Sequence, residues 1–118
     1  MICEGTVSKF SMGRSTGISI KNWKTRHMVL TRTNLQYMEK VGAEPKHDMW
    51  VNAISAVWAN PTKNDHPQAN PNKPMFMIRV WSHGVFDLLV DCVTALEKQK
   101  WIDGLKQALA ESKGVQWV

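Results

Sequence analysis

The chain changes its hydrophobic period once, at Thr94, and that single switch limits the folds open to it. Up to Thr94, apolar residues come in short runs, several of them alternating with polar neighbours. Beyond it, Trp101, Ile102, Leu105, Ala108 and Leu109 fall at helical spacing and make one apolar stripe. Thr94-Ala95-Leu96-Glu97 has the form of a capping box, in which the Thr hydroxyl caps the Glu amide and the Glu side chain reaches back. Lys113 and Gly114 read as the stop, so a helix is expected over 95–112.

Upstream, the runs at 5–10, 23–31 and 35–40 have strand character, the last two joined by a tight turn at Arg32-Thr33-Asn34. Residues 49–59 hold enough β-branched and aromatic residues for two short strands. Strands at 75–81 and 85–90 flank a turn at Ser82-His83-Gly84. Between the runs at 49–59 and 75–81, residues 60–74 carry four of the five prolines and are expected to form a long surface loop. The order is therefore about seven strands and then one helix. That is a mainly β chain with one C-terminal α-helix, built as an antiparallel sandwich or small open barrel. A helix with one stripe can plug one end of such a barrel and leave the other end for a ligand.

A length of 118 residues suits a single domain, 1–118, with enough core to need no metal or disulfide. No apolar run approaches the roughly 18 residues that cross a bilayer. Met1-Ile2-Cys3-Glu4 does not open a signal peptide. Cys3 and Cys92 lack metal-ligand spacing and fit a reduced, cytoplasmic setting, with a disulfide between them as the minor alternative. His27, His47, His66 and His83 are scattered, Asp87 and Asp91 make no convincing catalytic pair, and no Gly-rich phosphate loop or nucleophile motif occurs. The chain is expected to be no enzyme and to hold no cofactor or metal.

The net charge is +5, but its placement says more. From Lys9 to Arg32 there are six basic residues and no acidic one, so the rest of the chain sums to −1. A local positive patch suits an anionic partner. The strand at 23–31 sharpens this. Side chains alternate faces along a strand, so Lys24, Arg26, Met28 and Leu30 share one side. Met28 and Leu30 are the natural core pair, so the two cations point to the interior side as well. They are tolerable only at a rim, where water or an anion meets them. At the usual strand rise they stand about 6.6 Å apart, a spacing that suits neighbouring phosphates of one small polyanion. Tyr37 has the parity of Leu35 and is expected on the same side, where its phenol can donate to a phosphate. Nucleic acid is not expected, because the basic window lacks interleaved aromatics for base stacking. Trp50, Trp58 and Trp81 are expected to pack, Ile18 and Ile20 to extend the second strand, and Trp117 either to fold back or to belong to a linker.

Glu4-Gly5 ahead of the first strand, "WKTRHMVL" at 23–30, "LQYME" at 35–39 and Trp101 in the final helix together resemble the pleckstrin homology (PH) domain over residues 3–112. The resemblance implies a seven-stranded antiparallel barrel capped by the helix, with Trp101 in the core, as a module of a larger protein. It also implies a phosphoinositide-binding motif. Lys9 stands where that motif has a Lys ending the first strand, Lys24-Thr25-Arg26 where it opens the second, and Tyr37 where it has a Tyr on the third. Arg14 and Lys21 lie in the loop that contacts phosphates in the family, and Lys46, or His47 beside it, lies near a fourth-strand basic position. Two features depart from the pattern: Met28 replaces an aromatic, and the first loop, Ser11 to Asn22, is long. The implied role is a monomeric, peripheral module that recruits its protein to anionic phosphoinositide membranes. The alternative is a protein-interaction module of the same fold, binding a protein partner or another domain of its own chain.

Overall fold

The computed structural model describes residues 1–12, 23–81 and 84–118, with the backbone alone for residues 11 and 12. Arg14, Lys21, Ile18 and Ile20 therefore lie outside the described residues, as do Ser82 and His83 of the expected turn. Seven strands form where alternation placed them: β1 (Cys3–Met12), β2 (Lys24–Leu30), β3 (Asn34–Met38), β4 (His47–Trp50), β5 (Ile54–Trp58), β6 (Met75–Trp81) and β7 (Val85–Asp91). Helix α1 (Ala95–Ala108) follows, and a two-residue strand, β8 (Gln116–Trp117), ends the chain. The sheet order is β4-β3-β2-β1-β7-β6-β5-β8. Every pairing is antiparallel except β5 with β8.

The long strand β1 joins the two halves. Cys3 to Lys9 pair with β2, while Ser8 to Met12 pair with β7. One strand thus serves two half-sheets that wrap a common core of Met28, Leu30, Leu35, Phe76, Ile78, Leu88 and Val90. Helix α1 closes one end of it. Trp101 is fully buried, with its ring 6.4 Å from that of Phe76. Thr94 Oγ1 accepts from the Glu97 amide at 3.1 Å, which is half of the expected capping box. The Glu97 carboxylate pairs with Lys100 at 2.8 Å, and Lys100 donates to the Glu4 carbonyl, tying helix to β1.

The helix ends four residues earlier than the sequence predicts. After Ala108 the amides of Ala110 and Ser112 bond carbonyls three residues back, at Gln107 and Leu109, which tightens the chain into turns. Gly114, at φ +87°, then turns it toward the edge of β5. There Trp117 pairs with Val57, so the end of the chain folds back as a strand.

The expectation that Trp50 and Trp81 pack is corrected: they are 63% and 61% exposed. Met49 and Val80 take the inward positions on their strands, and alternation turns the next residue out. The loop between β5 and β6 is more than a surface connection. Its Ala69 and His66 are buried. Ala69 joins Phe10, Met75, Met77 and Leu89 in a second cluster on the outer side of β1, β6 and β7, flanked by Trp23 and Trp58. This explains why β6 is apolar on both faces: Phe76 and Ile78 face the main core, and Met75 and Met77 lie under the loop. Asp87 is held by Arg79, its cross-strand partner, through bonds of 2.8 and 3.1 Å.

The approach of α1 to the barrel depends on one glycine. A Cβ on Gly104 would meet Cys3 Sγ at 3.0 Å, Ile2 Cγ2 at 3.2 Å and Leu30 Cδ2 at 3.3 Å. Gly104→Val therefore overpacks the joint between helix and barrel. A loss of about 1–3 kcal/mol is expected in urea denaturation, with the secondary structure retained.

Candidate functional site

The cup at the uncapped end is built by strand parity. Leu30 lies under the helix, and six residues up β2 the chain reaches Lys24 at the opposite end. Along that path the side chains grade from fully buried Leu30 and Met28, through half-buried Arg26, to exposed Lys24. Lys9 is the direct cross-strand partner of Lys24, and Tyr37 of Met28. On the next strand His47 pairs with Tyr37. Lys9, Lys24, Arg26, Tyr37, Lys46 and His47 line one cavity of about 310 Å³, and no acidic side chain shares its lining among the described residues. Five of the seven sequence-predicted residues therefore meet at one place. Arg14 and Lys21 lie outside the described residues. The alternative residue at the fourth strand, His47, lines the cup as well as Lys46.

Lys9 is the anchor. It is 8% exposed, its Nζ lies 3.3 Å from the Tyr37 hydroxyl, and the same Nζ sits 4.4 Å from the centre of the Tyr37 ring. The ring gives a cation–π contact and the hydroxyl a hydrogen bond. These do not offset the burial of the ammonium. Desolvation, with the charges of Arg26 and Lys24 nearby, pushes the Lys9 pKa down to about 8. His47 stacks on the other partner, with its ring 4.8 Å from Tyr37 at 23°. Burial and the charge of Lys9 lower its pKa below the usual imidazole value. At neutral pH its ring is therefore mainly uncharged and serves as a flat wall.

Two of the three other cations in the lining, Arg26 and Lys46, are loosely held. Arg26 donates to the Thr25 carbonyl at 2.9 Å, but its buried Nε has no hydrogen-bond partner among the described residues. Such a donor costs about 1–3 kcal/mol until something accepts from it. Lys46 pairs with Glu39 at 3.2 Å, yet both side chains are about half exposed, and a pair of that kind is worth little. Lysine amines beside an arginine, with a phenol on one wall, match a compact polyanion in chemistry and geometry.

The strain at Lys9 makes a prediction. Its folded pKa lies below the ordinary value, so between about pH 8 and 10.5 the unfolded chain binds more protons. The Lys9 penalty is fully present below pH 8 and is relieved as pH rises through that window. Lys9→Met should raise the melting temperature of the free protein at pH 7, by about 4–8 °C per kcal/mol regained. It should also flatten the gain in stability between pH 8 and 10.5. Thermal denaturation across that range checks both outcomes.

A scan of protein families matches the PH domain over residues 1–110. No curated protein matches the chain. Among solved structures it resembles the apo, activated truncation of Vav1, with a TM-score of 0.69 at 17% identity over 92% of this chain. The chain spans about 26% of that Vav1 chain. It also resembles the PH domain of ArhGAP27, at TM-score 0.67 and 13% identity, covering 91% of this chain and 97% of that one. A third likeness is to the Slm1 PH domain in complex with inositol-4-phosphate, at TM-score 0.63 and 16% identity, covering 91% of this chain and 94% of that one. At these identities the solved structures establish the fold alone. With the family match over nearly its whole length, and with the fold shared by solved PH domains, the chain belongs to the PH domain family.

Proposed function

We propose that the chain is a non-catalytic membrane-targeting module that binds the polyphosphorylated headgroup of a phosphoinositide in the cup between β1, β2 and β3. The observation that carries this is the shared cavity. Lys9, Lys24 and Arg26 meet around one space with no acid among the described residues of its lining. Lys24 and Lys9 face each other directly across two strands, a like-charge pairing that costs stability in the free protein. A polyanion removes that repulsion, accepts from the orphaned Arg26 Nε and raises the protonation of Lys9 at once. The Slm1 PH domain was seen with an inositol phosphate, which makes the ligand class reasonable for this fold.

In this mechanism Lys24 and Arg26 contact adjacent phosphates from β2. Lys9 reaches them from the cup's floor. Tyr37 orients the ring of the headgroup with its hydroxyl, and Lys46 exchanges Glu39 for a phosphate. Arg14 and Lys21 act from the first loop. Each basic residue near an anionic leaflet adds about 1 kcal/mol. The shaped contacts supply selectivity beyond that general attraction.

A second reading keeps the fold and changes the partner. Trp50 and Trp81 stand exposed, and two shallow cavities beside them share Asn52 and Ser112 in their linings. Exposed aromatics of this kind suit a protein contact.

Lys24→Ala and Arg26→Ala are each expected to weaken binding to phosphoinositide-bearing vesicles at least tenfold, about 1.4 kcal/mol or more, without lowering the melting temperature. Trp50→Ala with Trp81→Ala should leave that binding unchanged. Parent-like binding by both cup variants in a vesicle sedimentation assay rules the cup out. Absence of binding by the folded parent favours the protein partner.

A further inference from the structure

The helix-capped end of the molecule carries a groove that shares no residue with the cup. Two cavities, of about 230 and 320 Å³, meet where the turn between β4 and β5 lies against the turns that follow α1. Asn52 and Ser112 line both, so the two form one continuous groove. Trp50 walls the smaller half and Trp81 the larger.

Local structure sets the two indoles there. Trp50 ends β4, and the short 3-10 turn Val51–Ala53 follows it at once. That turn leads to Ile54, which pairs with Val80, the residue before Trp81. The indoles therefore flank one tight turn. Beneath them the groove is floored by the rim of the main core. Val51 and Ile54 are buried, and Ala53, Ala108 and Val115 pack against the same cluster. A floor of close-packed core holds its shape without an occupant. A single exposed indole is ordinary, but two over a shared groove make a patch that offers contact area.

The charges of the groove are as regular as its walls. Arg32 stands in the Trp50 half and Lys113 in the Trp81 half, and no acidic side chain lines either half among the described residues. Neither cation is in an ion pair among the described residues. Glu111 borders only a third cavity, which shares Arg32 and Ala108 with the Trp50 half. Each half thus joins one indole to one cation. Between the halves, Asn52 brings an amide and Ser112 a hydroxyl, groups that can bond a peptide backbone. The volumes decide the kind of occupant. Sites for whole small ligands span about 300–1,000 Å³, so each half suits one side chain, a larger one beside Trp81 than beside Trp50.

We propose that this groove binds an extended acidic segment of a partner protein, with a bulky apolar side chain in each half and carboxylates reaching Arg32 and Lys113. Charge complementarity selects this occupant. A second copy of the chain is itself basic, at net charge +5, and a twofold contact would set these cations against their own copies. The inference develops the protein-contact reading given above and stands apart from the cup.

Capped peptides are the probes: Asp-Leu-Gly-Gly-Phe-Asp, its reversed sequence, and versions with one or three glycines, each with a Lys-ended control. They are titrated into the full chain and followed by the indole N–H resonances of Trp50 and Trp81, assigned through Trp50→Phe and Trp81→Phe. An acidic probe should shift both resonances, and its Lys-ended control should bind about tenfold more weakly. Arg32→Gln and Lys113→Gln should each weaken the acidic probe about threefold, as charges at an exposed rim do, and leave the melting temperature unchanged. Glu111→Gln should leave binding equal or tighter. The double variant Lys24→Ala/Arg26→Ala should keep the full indole response while losing phosphoinositide vesicles, so failure of the cup and failure of the groove are seen separately. Equal affinity for acidic and Lys-ended probes, or no indole shift in the folded chain with any acidic probe, overturns the inference. A shift of both indoles on raising protein concentration alone assigns the face to a second copy. A shift of both with anionic lipid micelles in the double variant assigns it to a membrane. Either result also overturns it.

Discussion

The placement of two methyl-rich side chains decides where the charges go. Met28 and Leu30 are completely buried, and a strand offers no freedom to turn one residue in without turning its second neighbours in as well. Lys24 and Arg26 are thus committed to the interior side by residues two to six positions further along the strand. A slip of one residue in β2 would turn Lys24 and Arg26 outward together with Met28 and Leu30, and bring Thr25, His27 and Val29 to the core side. The cup is therefore fixed by the same hydrophobic register that stabilises the fold, and it cannot be lost without losing the barrel.

That arrangement leaves the free protein carrying an unresolved electrostatic cost. Lys9 and Lys24 oppose each other, Lys9 is buried enough to lose proton affinity, and Arg26 holds a buried donor with no acceptor among the described residues. A sequence selected for stability alone would replace Lys9 with an apolar residue of similar length. The outer face of the same molecule shows the contrast. There Arg79 is matched to its cross-strand Asp87, and His27 lies 3.1 Å from Glu4. The Arg79 guanidinium on the outer face is ion-paired, whereas Arg26 in the cup keeps a buried Nε with no hydrogen-bond partner among the described residues. A cost of that kind kept at one place is what the proposed ligand-binding reading of the cup accounts for.

How much of this was legible in the sequence follows from the range of each interaction. Strand β2, the parity of Tyr37 and the burial of Trp101 depend on alternation within one element, and they could be read directly. The capping Thr94 was equally local. The end of α1 was not, because what shortens the helix is the turn that carries the chain back beside β5, a contact between residues about 60 apart. Trp50 and Trp81 were misjudged because size suggested burial, while the strand phase set by Met49 and Val80 turned them out. The loop at 60–74 was recognised by its prolines but not understood. Its buried His66 and Ala69 are anchored on Phe10, which lies more than 50 residues earlier. His47 could have been ranked with Lys46 from the hairpin register, since it is the residue opposite Tyr37.

The same alternation that forms the cup also divides the hairpin into two unlike faces. The cavity on the inner face is lined by cations, a phenol and an imidazole, with no acidic side chain among the described residues. The outer face mixes lysines with an aspartate and is walled by a loop with its own small core. The two are separated by one layer of β-sheet, and the exposed Trp50 and Trp81 line the cavity of neither. On the proposed reading of the cup, a membrane headgroup and a protein contact at Trp50 and Trp81 would use separate surfaces, so the two need not compete.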